Sequence, residues 1–187
     1  IGQREANATD AASLAEAAQQ HALWGGFVDW ARHTLLGGEP RRELAEAYVR
    51  ILARVREIRE KQNQRFAVLL RDWIAAGSRP NGVIPIERTL DEIVAPLASQ
   101  IPVLVLVIDG MSFAVFRELV EDLTRQDWAE IRREDRSPVW PGIAALPSVT
   151  EVCRTSLLCG RLRQGQAGDE RSGFAEHPAL LRACKSN

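Results

Sequence analysis

The chain has 187 residues, 45% of them hydrophobic and 26% charged, with 24 Lys and Arg against 25 Asp and Glu. That length holds one good core or two small units, and so even a charge balance gives no reason to expect nucleic-acid or membrane binding. No apolar run approaches the roughly eighteen residues that cross a bilayer, and "IGQREANATD" lacks the basic-then-apolar order of a secretory leader.

Residues 10–36 place Leu14, Ala17, Ala18, His21, Trp24, Phe27, Val28, Ala31 and Leu35 at intervals of three and four. This predicts an amphipathic helix, with Asp10 as its N-cap, a weak point at Gly25–Gly26 and a stop at Gly37–Gly38. After Pro40 the spacing restarts at Leu44 and runs through Tyr48, Leu52, Val55, Ile58, Phe66 and Leu69 to Trp73, until "AAGSRPNG" ends it. Together the two helices predict an antiparallel hairpin over residues 1–80. The almost wholly polar "REIREKQNQR" is expected to project into solvent. The hairpin is either a packed helical subdomain or an arm that binds partner proteins.

From residue 80 the texture changes. "VIPI" reads as a turn or edge segment, followed by a helix starting near Thr89 or Leu90, where Thr89 and Glu92 have capping-box spacing. The run Ile101 to Ile108 predicts a strand covered on both faces, as in a parallel sheet. "SFAVFRELVEDLTRQ" predicts an amphipathic helix with Phe116, Leu119, Val120 and Leu123 inward. "WAEIRRE" is a candidate strand, "DRSPVWPG" a loop, and "SVTEVCRTSLLCG" a helix closed by Gly160. This order, over residues 81–187, is that of the opening of a doubly wound α/β sheet.

In such sheets ligands gather at the carboxyl ends of the strands, which is where Asp109 stands, before Gly110. It is either a metal ligand or nucleophile, or a cap for the next helix, a job Ser112 can do equally well. Met111 argues against a DxDxT phosphoaspartate motif, and neither GxGxxG nor GxxxxGK[ST] occurs. In the later helix Ser148 and Glu151 form S-x-x-E, a capping box. Thr150 then falls in the first turn, where free amides suit a phosphoryl oxygen or a nucleophilic hydroxyl. Arg154, one turn on, can pair with a phosphate.

"VLVLVIDGMSF", followed later by "LPSVTEVCRTSLLCG", resembles the alkaline phosphatase superfamily, and within it the PglZ family of bacterial BREX-type phage-resistance systems. A downstream "DE..GF..H" also fits, here Asp169, Glu170, Gly173, Phe174 and His177, so the likeness spans about residues 85–180. It implies an alkaline-phosphatase-like sheet preceded by the helical hairpin. It also implies hydrolysis of a phosphate ester or phosphodiester through Thr150 as nucleophile, with Arg154 in support. Asp109 would be the first ligand of a divalent metal, zinc being the expected ion and two ions the intact complement. Cys153 stands at the substrate-contacting position where nucleotide-pyrophosphatase-like relatives carry Asn, and a thiol is the weaker donor.

Other phage-defence proteins are the implied partners, through the hairpin. Nucleic acid is not indicated by charge, and no membrane is expected. After Thr150 only Asp169, Glu170 and His177 remain as further metal donors, while His21 and His33 read as packing or surface residues. "GDERSGFAEHPALL" is either a charged loop docking Phe174 and its leucines or the rim of the site. Two alternatives follow: a truncated piece of a metal-dependent phosphoryl-transfer protein, inactive by itself, or a scaffold that keeps the fold without the chemistry. Cys153, Cys159 and Cys184, an odd number without a CxxC, read as free thiols in a reducing cytoplasm.

Overall fold

The computed structural model describes residues 11–131 and 140–185. They form two compact units, one of residues 11–78, 111–131 and 140–141, the other of residues 79–110 and 142–185. The first break falls beside the expected boundary at residue 80. The helix after "DGMS", expected in the α/β half, instead packs with the helical unit.

In the helical unit, α1 (Leu14–Gln20) passes through a π-turn (His21–Gly25) into α2 (Gly26–Leu36). Ser13 is the N-cap, its Oγ accepting from the Glu16 amide at 3.2 Å; Asp10 lies outside the described residues. The weak point expected at Gly25–Gly26 is this π-turn, and the glycines serve close approach. A Cβ on Gly26 would stand 2.6 Å from the Phe113 ring, and one on Gly25 would enter the His21 ring. Phe113 opens α5, which therefore packs tightly on α2.

Helix α3 (Arg42–Ala75) is 34 residues long and buries no side chain fully. Among its half-buried positions Ala45, Tyr48, Leu52, Val55, Arg59, Gln62, Phe66, Leu69 and Trp73 follow one another at three and four, the spacing of a coiled-coil seam, and Ala47, Ile58, Arg65 and Leu70 beside them widen the stripe. The expectation that "REIREKQNQR" projects into solvent is corrected here, because the seam runs through it. Arg59 donates to the Gly25 carbonyl at 2.6 Å and pairs with Asp29 at 3.1 Å. Arg65 donates to the Ala11 carbonyl through Nε and Nη2 at 2.9 and 2.8 Å. As α3 advances its partners retreat along the chain, which makes the pair antiparallel. A guanidinium reaches a backbone carbonyl that an aliphatic side chain would leave bare.

Helix α5 (Phe113–Arg125) is capped by Ser112, whose Oγ accepts from the Val115 amide at 3.3 Å. Phe116, Leu119 and Val120 are half-buried, while Leu123 is exposed. Residues 128–131 form no strand, and Trp128 and Ile131 are exposed; the rest of the candidate strand and most of the loop after it lie outside the described residues.

The second unit carries a parallel pair, β1 (Ile84–Pro85) with β2 (Gly142–Ile143), Ile84 opposite Gly142. "VIPI" is thus an edge strand. Among the described residues the sheet is this pair, so the fold is mostly helical with a small parallel sheet. A helical run starts earlier than expected, as a 3₁₀ turn (Ile86–Arg88), a π-turn (Leu90–Val94) and α4 (Ala95–Ala98). The Thr89–Glu92 capping box does not form: Thr89 is itself helical, and Glu92 pairs with Arg88 at 3.0 Å.

The strand expected over Ile101–Ile108 is corrected too. The run is irregular and ends in a turn at Asp109–Gly110, and from residue 102 to 107 no backbone group is hydrogen-bonded to another among the described residues. Exposure alternates, with Leu104 81%, Leu106 75% and Ile108 54% exposed while Val105 packs on the core. The side chains keep strand periodicity, but among the described residues no neighbour pairs with this backbone. That core is Leu90, Val94 and Ala95 against Ala179, Leu180 and Ala183. Helices α6 (Thr150–Cys159), α7 (Ala167–Ala175) and α8 (Pro178–Lys185) complete the unit. "GDERSGFAEHPALL" is therefore mostly helix rather than a docked loop, and Phe174 stays exposed. No described helix is long and apolar enough to cross a membrane.

Candidate functional site

The site is built on the first turns of α6. Val149 enters extended and offers no side-chain cap, so the Ser148–Glu151 capping box does not form. Glu151 is drawn instead to the returning chain, where its carboxylate accepts from Gln164 at 3.1 Å and its carbonyl from the Gly165 amide at 3.1 Å. Thr150 is the first helical residue and is exposed. Its hydroxyl makes no hydrogen bond with the described residues, and neither do the Thr150 and Glu151 amides, whereas Val152 and Cys153 donate back to Val149 O. Two free amides beside a free hydroxyl at a helix N-terminus form a local anion-binding arrangement.

Cys153, expected at the substrate-contacting position, is half-buried and directs its thiol to the Ala145 carbonyl at 3.4 Å. With its proton committed to the backbone, it is not a donor toward a phosphate. Arg154 sends Nε to both oxygens of Glu170, each at 2.9 Å. Glu170 is only 7% exposed and also accepts from Thr155 Oγ1 at 3.3 Å. This hydrogen bond and the charge of Glu170 raise the Arg154 pKa, and Asp109 adds to the rise from farther away. The two terminal nitrogens of Arg154 make no hydrogen bond with the described residues.

Asp109 is exposed at the end of the aliphatic run, before a left-handed Gly110 at φ 73°. Its carboxylate has no hydrogen-bond partner among the described residues, and Ser112 takes the capping role, so Asp109 is not the helix cap. The fold brings Asp109 near enough to Arg154 for its charge to be felt, although the sequence separates them widely.

The further donors are less free. Asp169 accepts from the Gln166 amide at 3.0 Å and pairs with Arg163 at 2.8 Å; those contacts hold its carboxyl below the ordinary range. Glu170 is committed to Arg154. His177 is buried, with its Nδ1 unpartnered among the described residues; it lines a cleft of about 510 Å³ with Cys159, Arg161, Asp169 and Glu176, and that cleft excludes Asp109, Thr150 and Arg154. No three His, Cys, Asp or Glu side chains among the described residues are grouped to hold a metal ion. Asp109 is one open carboxylate, and the described residues do not make a metal centre around it. His21 and His33 both lie in the helical unit.

Glu170, expected only as a spare metal donor, is instead the partner of Arg154, a pairing that pattern reading did not assign. It lies sixteen positions from Arg154 in a stretch whose charges suggest solvent. Compared with known families, curated proteins and solved structures, the chain matches none. The PglZ resemblance therefore rests on the quoted residues alone.

Proposed function

We propose that this chain carries the nucleophile-bearing part of a PglZ-like phosphoryl-transfer protein of the alkaline phosphatase superfamily, acting in phage defence on a phosphate ester or phosphodiester. In this reading β1, β2 and the 103–108 run belong to an alkaline-phosphatase-like sheet. One observation carries the proposal: the unpartnered Thr150 hydroxyl stands beside two free amides, one turn from an arginine whose outer nitrogens are unspent. The amides of Thr150 and Glu151 would hold phosphoryl oxygens, and Arg154 would offset the charge that develops on them. Thr150 Oγ would bond to phosphorus as the ester bond breaks, its proton leaving with the alcohol. Water would then cleave the threonyl intermediate, releasing orthophosphate from a monoester or a phosphomonoester from a diester and restoring the hydroxyl.

Zinc or another divalent ion would supply activation of the hydroxyl, with Asp109 as one ligand. Because no further donors gather around Asp109 among the described residues, no step is assigned to the ion, and residues 1–187 alone are expected to show no appreciable turnover. The test is phenyl phosphate binding to the full chain by calorimetry. Arg154→Ala is expected to weaken it about tenfold, and removing the Thr150 hydroxyl in Thr150→Ala to weaken it less. Affinity unchanged in both variants would overturn the reading. The scaffold alternative has one observation in its favour, the commitment of Arg154 Nε to Glu170, and it expects no phosphate-ester binding.

A further inference from the structure

We propose that Glu170 is a positioning residue that holds the Arg154 guanidinium in the orientation from which it meets a phosphoryl group, an inference that rests on the phosphate-site reading of Thr150 and Arg154. Glu170 is nearly sealed from water at 7% exposure, and a carboxylate in such a place is costly unless its oxygens are satisfied. Both oxygens are engaged, by Arg154 Nε at 2.9 Å each and by Thr155 Oγ1 at 3.3 Å. Thr155 is itself fully buried, so the carboxylate is clamped from the α6 side as well.

The use of Nε is the informative detail. A guanidinium carries five N–H donors in a rigid plane. A bidentate pair would spend at least one of the outer nitrogens on the carboxylate. Here the inner Nε–H is shared between the two oxygens, which fixes the plane while the four outer N–H groups stay unspent. Without Glu170 a side chain of this length samples many rotamers, and ordering it on binding costs affinity. The carboxylate would do that ordering in advance.

The experiment follows Arg154 directly and phosphate separately in the full chain. In wild type the Arg154 Nε–H signal, by ¹⁵N-resolved NMR, is expected to exchange slowly with water; in Glu170→Gln, which keeps the volume but loses one acceptor, it is expected to exchange fast. Phenyl phosphate affinity is expected to fall about fivefold in Glu170→Gln, and the same substitution is expected to have no effect in an Arg154→Ala background. A residue that only supports the fold would lower the unfolding midpoint and leave both the affinity of the folded protein and the coupling to Arg154 untouched. Thr155→Val, which removes one tie and no charge, is a second variant expected to give a smaller fall of the same kind. An Nε–H signal unchanged in both variants overturns the positioning role. Rapid exchange with unchanged affinity in Glu170→Gln also overturns it; if Arg154→Ala then still weakens binding, the phosphate-site reading survives, and if not, both fall together.

Discussion

Gly160 shows what one position contributes to the site. It ends α6 in the left-handed region at φ 64°, and a Cβ there would enter the imidazole of His177, which is 3% exposed and has little room to move. Two penalties therefore coincide, backbone strain and a steric clash. Gly160→Ala is expected to lower stability by about 2 kcal/mol, read as a lower urea midpoint at unchanged slope. Gly168→Ala is the counterpart. It lies in the first turn of α7, where a Cβ meets nothing within 4 Å, so the expected change is a gain of up to about 1 kcal/mol. Equal losses at both positions would mean that neither the left-handed cap at Gly160 nor helix propensity at Gly168 governs the response. The stop at Gly160 was legible because glycine closing an apolar helix is a local signal. The neighbour it makes room for is seventeen residues on and was not legible.

At the level of elements, the helical unit hangs on contacts from α3 to the π-turn of the first arm. Arg59 Nη1 lies 3.2 Å from His21 Nδ1, and a guanidinium only donates, so the neutral His21 must accept there and carry its proton on Nε2. The ring also leans on Phe113, with centroids 5.8 Å apart. Burial, and then the positive charge of Arg59, hold the His21 pKa below the ordinary imidazole value, while Asp29 pulls weakly the other way. With the folded pKa below the unfolded one, the unfolded chain binds the proton more readily. The His21 contribution is thus present above the unfolded value of about 6.5 and is lost as pH falls through it toward the folded value. The thermal midpoint is expected to drop more steeply from pH 7 to pH 5 in wild type than in His21→Asn, whose amide oxygen can accept from Arg59 without titrating. Parallel curves would remove His21 from the acid response. Helix α3 was legible from its apolar spacing, but its polar middle was misjudged because Arg59 and Gln62 occupy seam positions while looking like solvent residues. Spacing was the better guide there than residue type. The Thr89 and Ser148 boxes failed for a related reason: Glu92 and Glu151 found partners in Arg88 and Gln164 that local pattern does not rank.

For the molecule as a whole, a break near residue 80 was legible in the chain, and Asp109, Thr150 and Arg154 stood out because each sits at a motif defined by its immediate neighbours; their roles are those proposed above. The pairing of Glu170 with Arg154 was not legible, because it depends on a fold that brings a charged stretch under α6. The 103–108 run lies between these cases: its composition was read as a buried strand, yet burial requires neighbours, and among the described residues none pairs with it. Leu104 and Leu106 are left 81% and 75% exposed in succession on one side, with the backbone groups of 102–107 unpaired among the described residues. Such an edge is a template for pairing with other chains, and contiguous apolar exposure adds to the attraction. The chain is therefore expected to self-associate as its concentration rises, by sedimentation velocity. Leu104→Lys combined with Leu106→Lys is expected to suppress this, since lysines on an edge repel a second copy. Because neither leucine packs in the core cluster, the unfolding free energy is expected to stay within about 0.5 kcal/mol of wild type. Association that persists undiminished in the double variant, with the fold intact, would place the adhesive surface elsewhere, the exposed aromatics Trp24, Phe27 and Trp30 of the helical unit being next in line.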